Sequence, residues 1–220
     1  MGRPRSPQSG IAIDRLIIYG AGGHGRVILE AALAGSGFDV VGFIDDDPDC
    51  HGATHHGVPV LGSADILQRP EYADCLLIVG LGDGAARRTI VNGLGDRSFA
   101  IVQHPSAVVG LGAMLGEGAV VLPMAVIHTD AKIGPHAIVN TSATVDHDSE
   151  VGAFAHLSPG AHLGGNVQIG EGTHIGLGAS VIPGVRIGKD VVVGAGAVVV
   201  DDVSDGLRVA GVPARAIQGS

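Results

Sequence analysis

The sequence is poor in the residue types that mark several classes of protein. Of its 220 residues none is tryptophan, 3% are aromatic, 16% are charged and two are cysteine. Cys50 and Cys75 do not form a CxxC motif, which favours free thiols in a reducing cytoplasm over a disulfide framework. We therefore expect a cytoplasmic protein.

Hydrophobic segments of the kinds that direct a chain to membranes are also missing. Nowhere do about 18 apolar residues follow one another, so we expect no transmembrane span. The first residues include Arg3 and Arg5 but no apolar core, unlike a secretory signal, and we expect residues 1–11 to be disordered. A net charge of −9 argues against nucleic acid as the main partner. It still allows an anionic small ligand, which needs only local positive charge or backbone N–H groups.

The most regular feature of the chain is a repeat of six residues. An aliphatic residue occupies every sixth position from Val109 to Val199, and a small or β-branched residue stands two positions before each. A period of six cannot keep one helix face buried, whereas short strands that each end in a turn can. Three such strands close one triangular coil, so the repeat predicts a parallel β-helix over residues 105–220, including a C-terminal tail. The hexapeptide motif resembles the left-handed β-helix of acyltransferases, and this resemblance supplies the hand.

The first part of the chain alternates strands and helices. We predict strands at 13–19, 40–44, 58–60, 75–79 and 98–102, and helices at 26–34, 64–68 and 83–94. This alternation is typical of a small parallel α/β sheet, so residues 12–104 are expected to form a Rossmann-like domain that ends near His104-Pro105.

A glycine-rich loop joins the first predicted strand to the first helix. Gly20, Gly22 and Gly25 form GxGxxG, and Asp45 ends the second strand, where an acid can meet a ribose. A dinucleotide is disfavoured because the domain is short. The diphosphate of a mononucleotide, as in a nucleotide sugar, is favoured, and a purely structural turn stays open. The loop at Gly80–Gly84 either lines the same cleft or is an ordinary strand–helix turn.

Two histidines of the repeat are candidates for chemistry. His147 falls at a corner, next to Gly165 of the following coil, and its flanking carboxylates can hold one ring nitrogen as N–H and raise the pKa. A solvated surface histidine is the alternative. His156 lies on a strand, with His174 stacked on it. This pair suggests a metal site but supplies too few ligands.

The spacing of these two histidines also bears on assembly. His147 and His156 are half a coil apart, so they point away from one another within one subunit. A site that uses both must lie between subunits, as in a threefold assembly with parallel coil axes.

Several motifs together resemble one family. The chain is similar to the PglD/NeuD-type nucleotide-sugar N-acetyltransferases in its repeat and in the segments Gly20–Gly25, Phe43–Asp47, Asn140–Asp148, Phe154–Gly160 and Gly211–Arg215. The resemblance implies a homotrimer that uses acetyl-CoA and no metal. It implies that His147 is the general base, polarised by Asp148, and that His156 contacts the thioester carbonyl. Further residues that it places at acetyl-CoA are Gly165, Gly194 and Ala195, and at the nucleotide Gly20, Gly22, Gly23, His24, Gly25, Asp45 and Asp46.

The expected reaction is acetylation of the 4-amino group of a UDP- or GDP-linked amino-dideoxy sugar. A sugar amine is mostly ammonium near neutral pH, so it must lose a proton before it attacks the thioester, and a histidine suits that task. Two alternatives stay open: an O-acetyltransferase acting on a sialic acid or another sugar, and a metal-binding β-helix protein.

Overall fold

The computed structural model describes residues 13–35 and 37–217. The prediction of a disordered segment at residues 1–11 lies outside the described residues. No helix within the described ranges is long and apolar enough to cross a membrane.

The first part of the chain is a small α/β unit. Its elements are β1 Asp14–Tyr19, α1 Gly23–Ala34, β2 Phe38–Ile44, β3 Thr54–His55, β4 Val58–Pro59, β5 Leu76–Val79 and α2 Gly84–Gly93, with 3-10 turns at Pro48–Cys50, Ala64–Gln68 and Pro70–Tyr72. Strands β2, β1 and β5 form a parallel sheet in that order. The apolar run Leu16-Ile17-Ile18 of β1 is fully buried, as expected for a strand covered on both faces.

Two of the predicted strands have other partners than expected. In the segment at 58–60, β4 pairs with β3 in an antiparallel hairpin, and Val60 joins the parallel sheet only through an isolated bridge to Phe43 of β2. The predicted last strand at 98–102 is divided between the parallel sheet and the coil. Phe99 forms only an isolated bridge to Leu77, and Val102–Gln103 pairs with the coil instead. An alternating apolar segment suits either sheet, so tertiary pairing decides its place.

From Val102 onward the chain winds as a three-sided parallel coil of two-residue strands. They are β6 Val102–Gln103, β7 Val108–Val109, β8 Met114–Leu115, β9 Val120–Val121, β10 Val126–Ile127, β11 Lys132–Ile133, β12 Ile138–Val139, β13 Thr144–Val145, β14 Glu150–Val151, β15 His156–Leu157, β16 His162–Leu163, β17 Gln168–Ile169, β18 His174–Ile175, β19 Ser180–Val181, β20 Arg186–Ile187, β21 Val192–Val193 and β22 Val198–Val199. Each strand from β6 to β19 pairs with the strand 18 residues further on, for example Ile127 with Val145.

The strands stack into three faces. The first face contains β7, β10, β13, β16, β19 and β22, and the second contains β8, β11, β14, β17 and β20. The third face contains β6, β9, β12, β15, β18 and β21 and is completed by the tail strands β23 Arg208–Ala210 and β24 Arg215–Ala216. The tail thus docks on the last coil.

The repeated aliphatic residues fill the interior of the coil. From Val121 to Val199 every one of them is buried, together with the small residues two positions before them. Burying one such aliphatic side chain contributes about 1.5–3 kcal/mol, so the period of six is the main source of stability of the coil. Ser149 and Thr173 replace alanine in the small-residue positions and are also fully buried. Their hydroxyls bond backbone groups of the next coil, so neither is left unsatisfied.

The α/β unit packs directly on the third face of the coil. Val120, Leu122 and Ile138 of that face share one buried cluster with Leu16 and Ile28 of the first unit. The edge between the second and third faces receives helix α2. His136 lies buried on this edge, stacked on Phe154 with ring centroids 5.1 Å apart.

Candidate functional site

A cleft opens where strands β1 and β5 end, and we call it the glycine-loop cleft. It has a volume of about 460 Å³ and is walled by the loop after β1 and by Gly80–Asp83 after β5. Parallel strands place the loops at their carboxyl ends side by side, which is where open α/β sheets bind ligands. Six residues predicted to bind the nucleotide line it: Gly20, Gly22, Gly23, His24, Asp45 and Asp46.

The glycines of the loop serve different purposes. A Cβ on Gly25 would lie 1.9 Å from the Gly20 carbonyl oxygen, and one on Gly80 would lie 2.7 Å from the Gly25 Cα. Gly25 and Gly80 therefore allow α1 and the two loops to pack closely. Among the residues that the structure describes, none lies within 4 Å of a Cβ built on Gly22, and none caps α1 there with its side chain. The exposed N-terminus of α1 can thus present N–H groups to an anion in the cleft.

The two acidic residues of the cleft brace its loops. Asp45 accepts hydrogen bonds from the Ala21 N–H (2.8 Å) and the Asp47 N–H (3.0 Å). Asp46 accepts one from the Tyr19 hydroxyl at 2.5 Å. Burial, and then the bond to Asp46, raises the pKa of Tyr19, so the phenol stays protonated and holds this bond. The carboxylates thus fix the cleft while leaving negative charge at its rim.

His24 lines the cleft and has one ring nitrogen without a hydrogen-bond partner among the described residues. That nitrogen, Nε2, is buried. Burial, together with the charge of Arg87, lowers the pKa of His24 to about 4, so the ring is neutral near pH 7. A buried polar atom without a partner is costly, which makes Nε2 available to a polar group of a ligand.

His156 lies beside His24, with ring centroids 5.8 Å apart, and is held on both sides. Its Nδ1 donates to the Gly82 carbonyl oxygen at 2.9 Å, and its Nε2 accepts from the Asn140 amide at 3.0 Å. The Asn140 amide is oriented because its oxygen accepts from the Thr141 N–H. Burial lowers the pKa of His156 to about 3. The ring is thus neutral, and its contact with a thioester carbonyl stays a prediction.

His174 lies directly above His156 on the next coil as predicted, with the rings edge to face and their centroids 5.0 Å apart. His174 Nε2 hydrogen-bonds the Ser158 hydroxyl at 2.9 Å, and burial lowers the pKa of His174. Within residues 13–35 and 37–217, no group of three or more His, Cys, Asp or Glu side chains is arranged to hold a metal ion.

His147 occupies the edge between the first and second faces. Its Nδ1 donates to the Asp148 carboxylate at 2.8 Å, and its side chain is 55% exposed. The bond to Asp148, followed by the charge of Asp146, raises the pKa of His147. A Cβ on Gly165 would lie 2.6 Å from the His147 Nε2, so only glycine leaves room for the ring. Nε2 is therefore a basic, outward nitrogen.

The predicted site residues occupy three places on one chain. His147, Asp148 and Gly165 lie on the edge between the first and second faces. Gly194 and Ala195 follow β21 on the edge between the third and first faces, where a Cβ on Gly194 would lie 2.9 Å from the Ala210 Cβ of the tail. His156 lies on the third face, beside the glycine-loop cleft.

Sequence reasoning missed two residues of this region. Asn140 directly follows an aliphatic residue of the repeat, at a position where nine of the sixteen repeats have glycine. This departure from the repeat is the sequence signal that could have identified Asn140. Arg87 is fully buried and donates to five backbone carbonyls that belong to both parts of the chain. In sequence it is an ordinary helical arginine without such a signal.

Comparison with known proteins identifies relatives of both parts. Residues 15–94 match the model of the PglD N-terminal domain family. The chain is 39% identical over 112 residues to UDP-N-acetylbacillosamine N-acetyltransferase of Bacillus subtilis. That match covers 50% of this chain and 52% of the relative, so it spans about half the length of this curated protein.

Solved structures match nearly the whole chain. PerB from Caulobacter crescentus, in complex with CoA and GDP-perosamine, is 40% identical, with a TM-score of 0.87 over 94% of this chain and 99% of its own. The acetyltransferase domain of PglB from Neisseria gonorrhoeae, in complex with acetyl coenzyme A, is 39% identical, with a TM-score of 0.85 over 92% and 98%. The fold is the predicted one, a small parallel α/β domain followed by a left-handed parallel β-helix. The chain belongs to the PglD-type family of nucleotide-sugar N-acetyltransferases.

Proposed function

We propose that the chain transfers the acetyl group of acetyl-CoA to the 4-amino group of a UDP- or GDP-linked amino-dideoxy sugar. The observation that carries the proposal is the polarised imidazole of His147: the Nδ1–H is held by Asp148, and Nε2 faces outward over Gly165. The relatives support the same chemistry, since UDP-N-acetylbacillosamine N-acetyltransferase and PerB are named for amino-sugar nucleotides.

His147 is the general base of the proposed reaction. Its Nε2 takes a proton from the sugar ammonium, and the freed amine attacks the thioester carbon. The tetrahedral intermediate loses a second nitrogen-bound proton to solvent and then collapses: the carbon–sulfur bond breaks, and the proton on Nε2 passes to the leaving thiolate of CoA. A positioned base of this kind contributes typically ~10²–10⁴-fold to the rate.

The glycine-loop cleft is the proposed nucleotide site. The exposed N-terminus of α1 at Gly22 suits a diphosphate, and His24 offers its unpaired Nε2 to the same ligand. Asp45 and Asp46 brace the loops, which in this proposal preorganises the cleft, and they leave acceptors at its rim for ribose or base groups.

The thioester is proposed to lie where Asn140 and His156 meet. His156 carries its proton on Nδ1, bonded to Gly82, so its Nε2 has no proton to donate to an oxyanion. The Asn140 amide has two N–H groups and uses one on His156. Its second N–H is the proposed donor to the thioester oxygen, with His156 orienting the amide. Such a donor is worth ~10²–10³-fold when it faces the developing charge.

A homotrimer with sites between subunits is part of the proposal. In one chain His147 lies on the edge opposite the third face, which carries His156 and the glycine-loop cleft. One subunit therefore supplies the base and its neighbour supplies the cleft. A cyclic assembly with parallel coils repeats this contact three times and leaves no surface unpaired.

The test is turnover with matched acceptors. The purified chain is incubated with acetyl-CoA and UDP-, GDP- or CMP-linked 4-amino sugars, each paired with its 4-hydroxyl analogue, and with a free sialic acid. Thiol release and the mass of the product are recorded. We expect amide formation on a UDP- or GDP-linked amine. We also expect His147→Ala to lose this activity while it keeps the oligomeric state of the parent. Ester formation on a hydroxyl acceptor instead would establish the O-acetyltransferase alternative. Turnover that is unaffected by His147→Ala would refute the role of His147 as the general base.

A further inference from the structure

We infer that Arg87 is a positioning residue that sets the glycine-loop cleft and His156 in one fixed geometry. The inference rests on the proposed function, because it concerns the same site. It begins from an unusual burial: the Arg87 side chain is only 1% exposed, although a buried cation is expensive unless it is compensated.

The compensation comes from backbone carbonyls on both sides of the domain junction. On the first side, the Arg87 Nη1 donates to Leu81 O at 2.6 Å and to Gly82 O at 3.2 Å. On the coil, Nε donates to His136 O at 2.8 Å, and Nη2 donates to Phe154 O at 2.7 Å and Ala155 O at 3.3 Å. A planar guanidinium with donors in fixed directions can join five acceptors in this way, whereas the point charge of a lysine cannot.

These carbonyls are the ones that determine the position of His156. Gly82 O accepts from the His156 Nδ1 as well as from Arg87. Ala155, whose carbonyl accepts from Arg87 Nη2, is the residue directly before His156. Arg87 thus holds both the acceptor of the His156 proton and the backbone that carries the ring.

The same bonds fix one wall of the glycine-loop cleft. Leu81 and Gly82 line that cleft, and the wall lies directly on the coil. A Cβ on Gly82 would come within 3.5 Å of the His156 Cε1, and one on Gly84 would lie 2.7 Å from the Phe154 carbonyl oxygen. A shift of the Arg87 contacts therefore moves the cleft wall and His156 together.

Arg88, the next residue, provides a matched comparison. It also joins α2 to the coil, through Glu171 at 3.1 Å and Asp190 at 3.0 Å. These contacts are partly exposed and involve neither Gly82 nor the backbone before His156. If the arginines acted only by joining the two domains, substitution of Arg87 and substitution of Arg88 would change the kinetic constants in the same way.

The experiment compares Arg87→Lys with Arg88→Lys in the full chain. In Arg87→Lys we expect kcat/KM for the nucleotide sugar to fall ~10²-fold, because a displacement of about 1 Å at a reacting group costs that much. The KM for the nucleotide sugar rises and kcat falls. Arg88→Lys keeps both constants within about twofold of the parent, even where its thermal midpoint drops. Equal kinetic effects in the two variants, or parental constants in Arg87→Lys, would overturn the inference.

A second readout separates this inference from the proposed reaction. Nitrogen-15 NMR of the histidine rings reports the tautomer and the pKa of His156 without any turnover. We expect His156 to keep its proton on Nδ1 in the parent chain and in Arg88→Lys, and to lose this single tautomer and gain a higher pKa in Arg87→Lys. An unchanged His156 signal in folded Arg87→Lys refutes the positioning role. Absence of turnover by the parent chain refutes only the reaction. Should Arg87→Lys not fold, Arg87→Gln, which keeps a planar group with two N–H donors, is measured in the same way.

Discussion

His147 lies on the edge of the coil that is opposite the face carrying His156. The two rings are nine residues apart in sequence, which is half of an 18-residue coil. One chain therefore has a polarised base on one side and a glycine-loop cleft on the other. A reaction that needs both requires a second copy of the chain.

Subunit complementation should follow from this arrangement. His147→Ala removes the base. Gly22→Trp fills the glycine-loop cleft, since Gly22 lines the cleft and a Cβ there meets no atom of residues 13–35 and 37–217 within 4 Å. Each variant alone should be inactive. Each mixed trimer of the two should regain about a third of parental turnover, because one of its three interfaces joins an intact base to an intact cleft.

The measurement is turnover after co-expression of the two differently tagged variants and tandem purification. Trimers assembled separately and mixed without subunit exchange serve as the control and should stay inactive. If co-expressed trimers show no activity while both variants keep their fold, base and cleft belong to the same subunit.

The pH dependence of turnover should respond to Asp148. The hydrogen bond to Asp148 and the charge of Asp146 raise the pKa of His147, and the base works only when it is deprotonated. The acidic limb of kcat/KM therefore reports this pKa. Asp148→Asn removes the larger cause, so the limb should move to lower pH, and kcat should fall because the ring is less well held. Asp146→Asn should shift the limb in the same direction by less. A limb that stays in place in both variants would mean that another group titrates.

Acid should destabilise the fold through its buried histidines. Burial lowers the pKa of His24 to about 4 and that of His156 to about 3, from 6.5 in the unfolded chain. Above pH 6.5 both rings are neutral in either state, so stability does not depend on them. As pH falls from 6.5 towards 3–4, the unfolded chain binds protons that the folded chain does not, and stability is lost.

Thermal unfolding between pH 8 and pH 4 tests this slope. The thermal midpoint should be flat above pH 7 and should fall steadily below 6.5. His24→Gln should reduce the slope, whereas His162→Gln, at an exposed position of the first face, should leave it unchanged. A midpoint that is independent of pH between 6.5 and 4.5 in the parent chain would contradict the neutral buried rings.

The repeat allowed most of the coil to be predicted from sequence. A strict period of six fixes which residue enters the core at each turn, so the position of His147 at a corner beside Gly165 followed from counting alone. The separate strand partners of Phe99 and of Val102 could not be predicted in this way. A short apolar segment fits two sheets equally well, and only the packed structure chooses between them.

The buried polar network escaped prediction for a different reason. Arg87 and the Gly82 carbonyl are close because helix α2 docks on an edge of the coil, and no local pattern encodes that docking. Likewise, the GxGxxG motif predicted a phosphate loop, but the packing of Gly25 against Gly20 and the bracing of the loop by Asp45 depend on contacts made after folding. Local sequence patterns identify which residues are candidates for the site. The long-range packing of helix and coil determines which contacts those residues make.

The docking of α2 itself can be tested at its two terminal glycines. Gly84→Ala would place a Cβ 2.7 Å from the Phe154 carbonyl oxygen, a contact that the coil backbone cannot relieve, so helix and coil must separate. We expect a loss of about 1–3 kcal/mol in the free energy of unfolding. Gly93 ends the same helix, and a Cβ there meets nothing within 4 Å in the described part of the chain. Gly93→Ala should therefore raise the stability by about 0.4–1 kcal/mol, because alanine restricts the unfolded chain. Urea unfolding of both variants measures the difference.

Since Gly84 adjoins the loop held by Arg87, Gly84→Ala should also raise the KM for the nucleotide sugar, and Gly93→Ala should not. Equal stability of the two variants would show that Gly84 of α2 does not pack as closely against the Phe154 carbonyl oxygen as this distance requires.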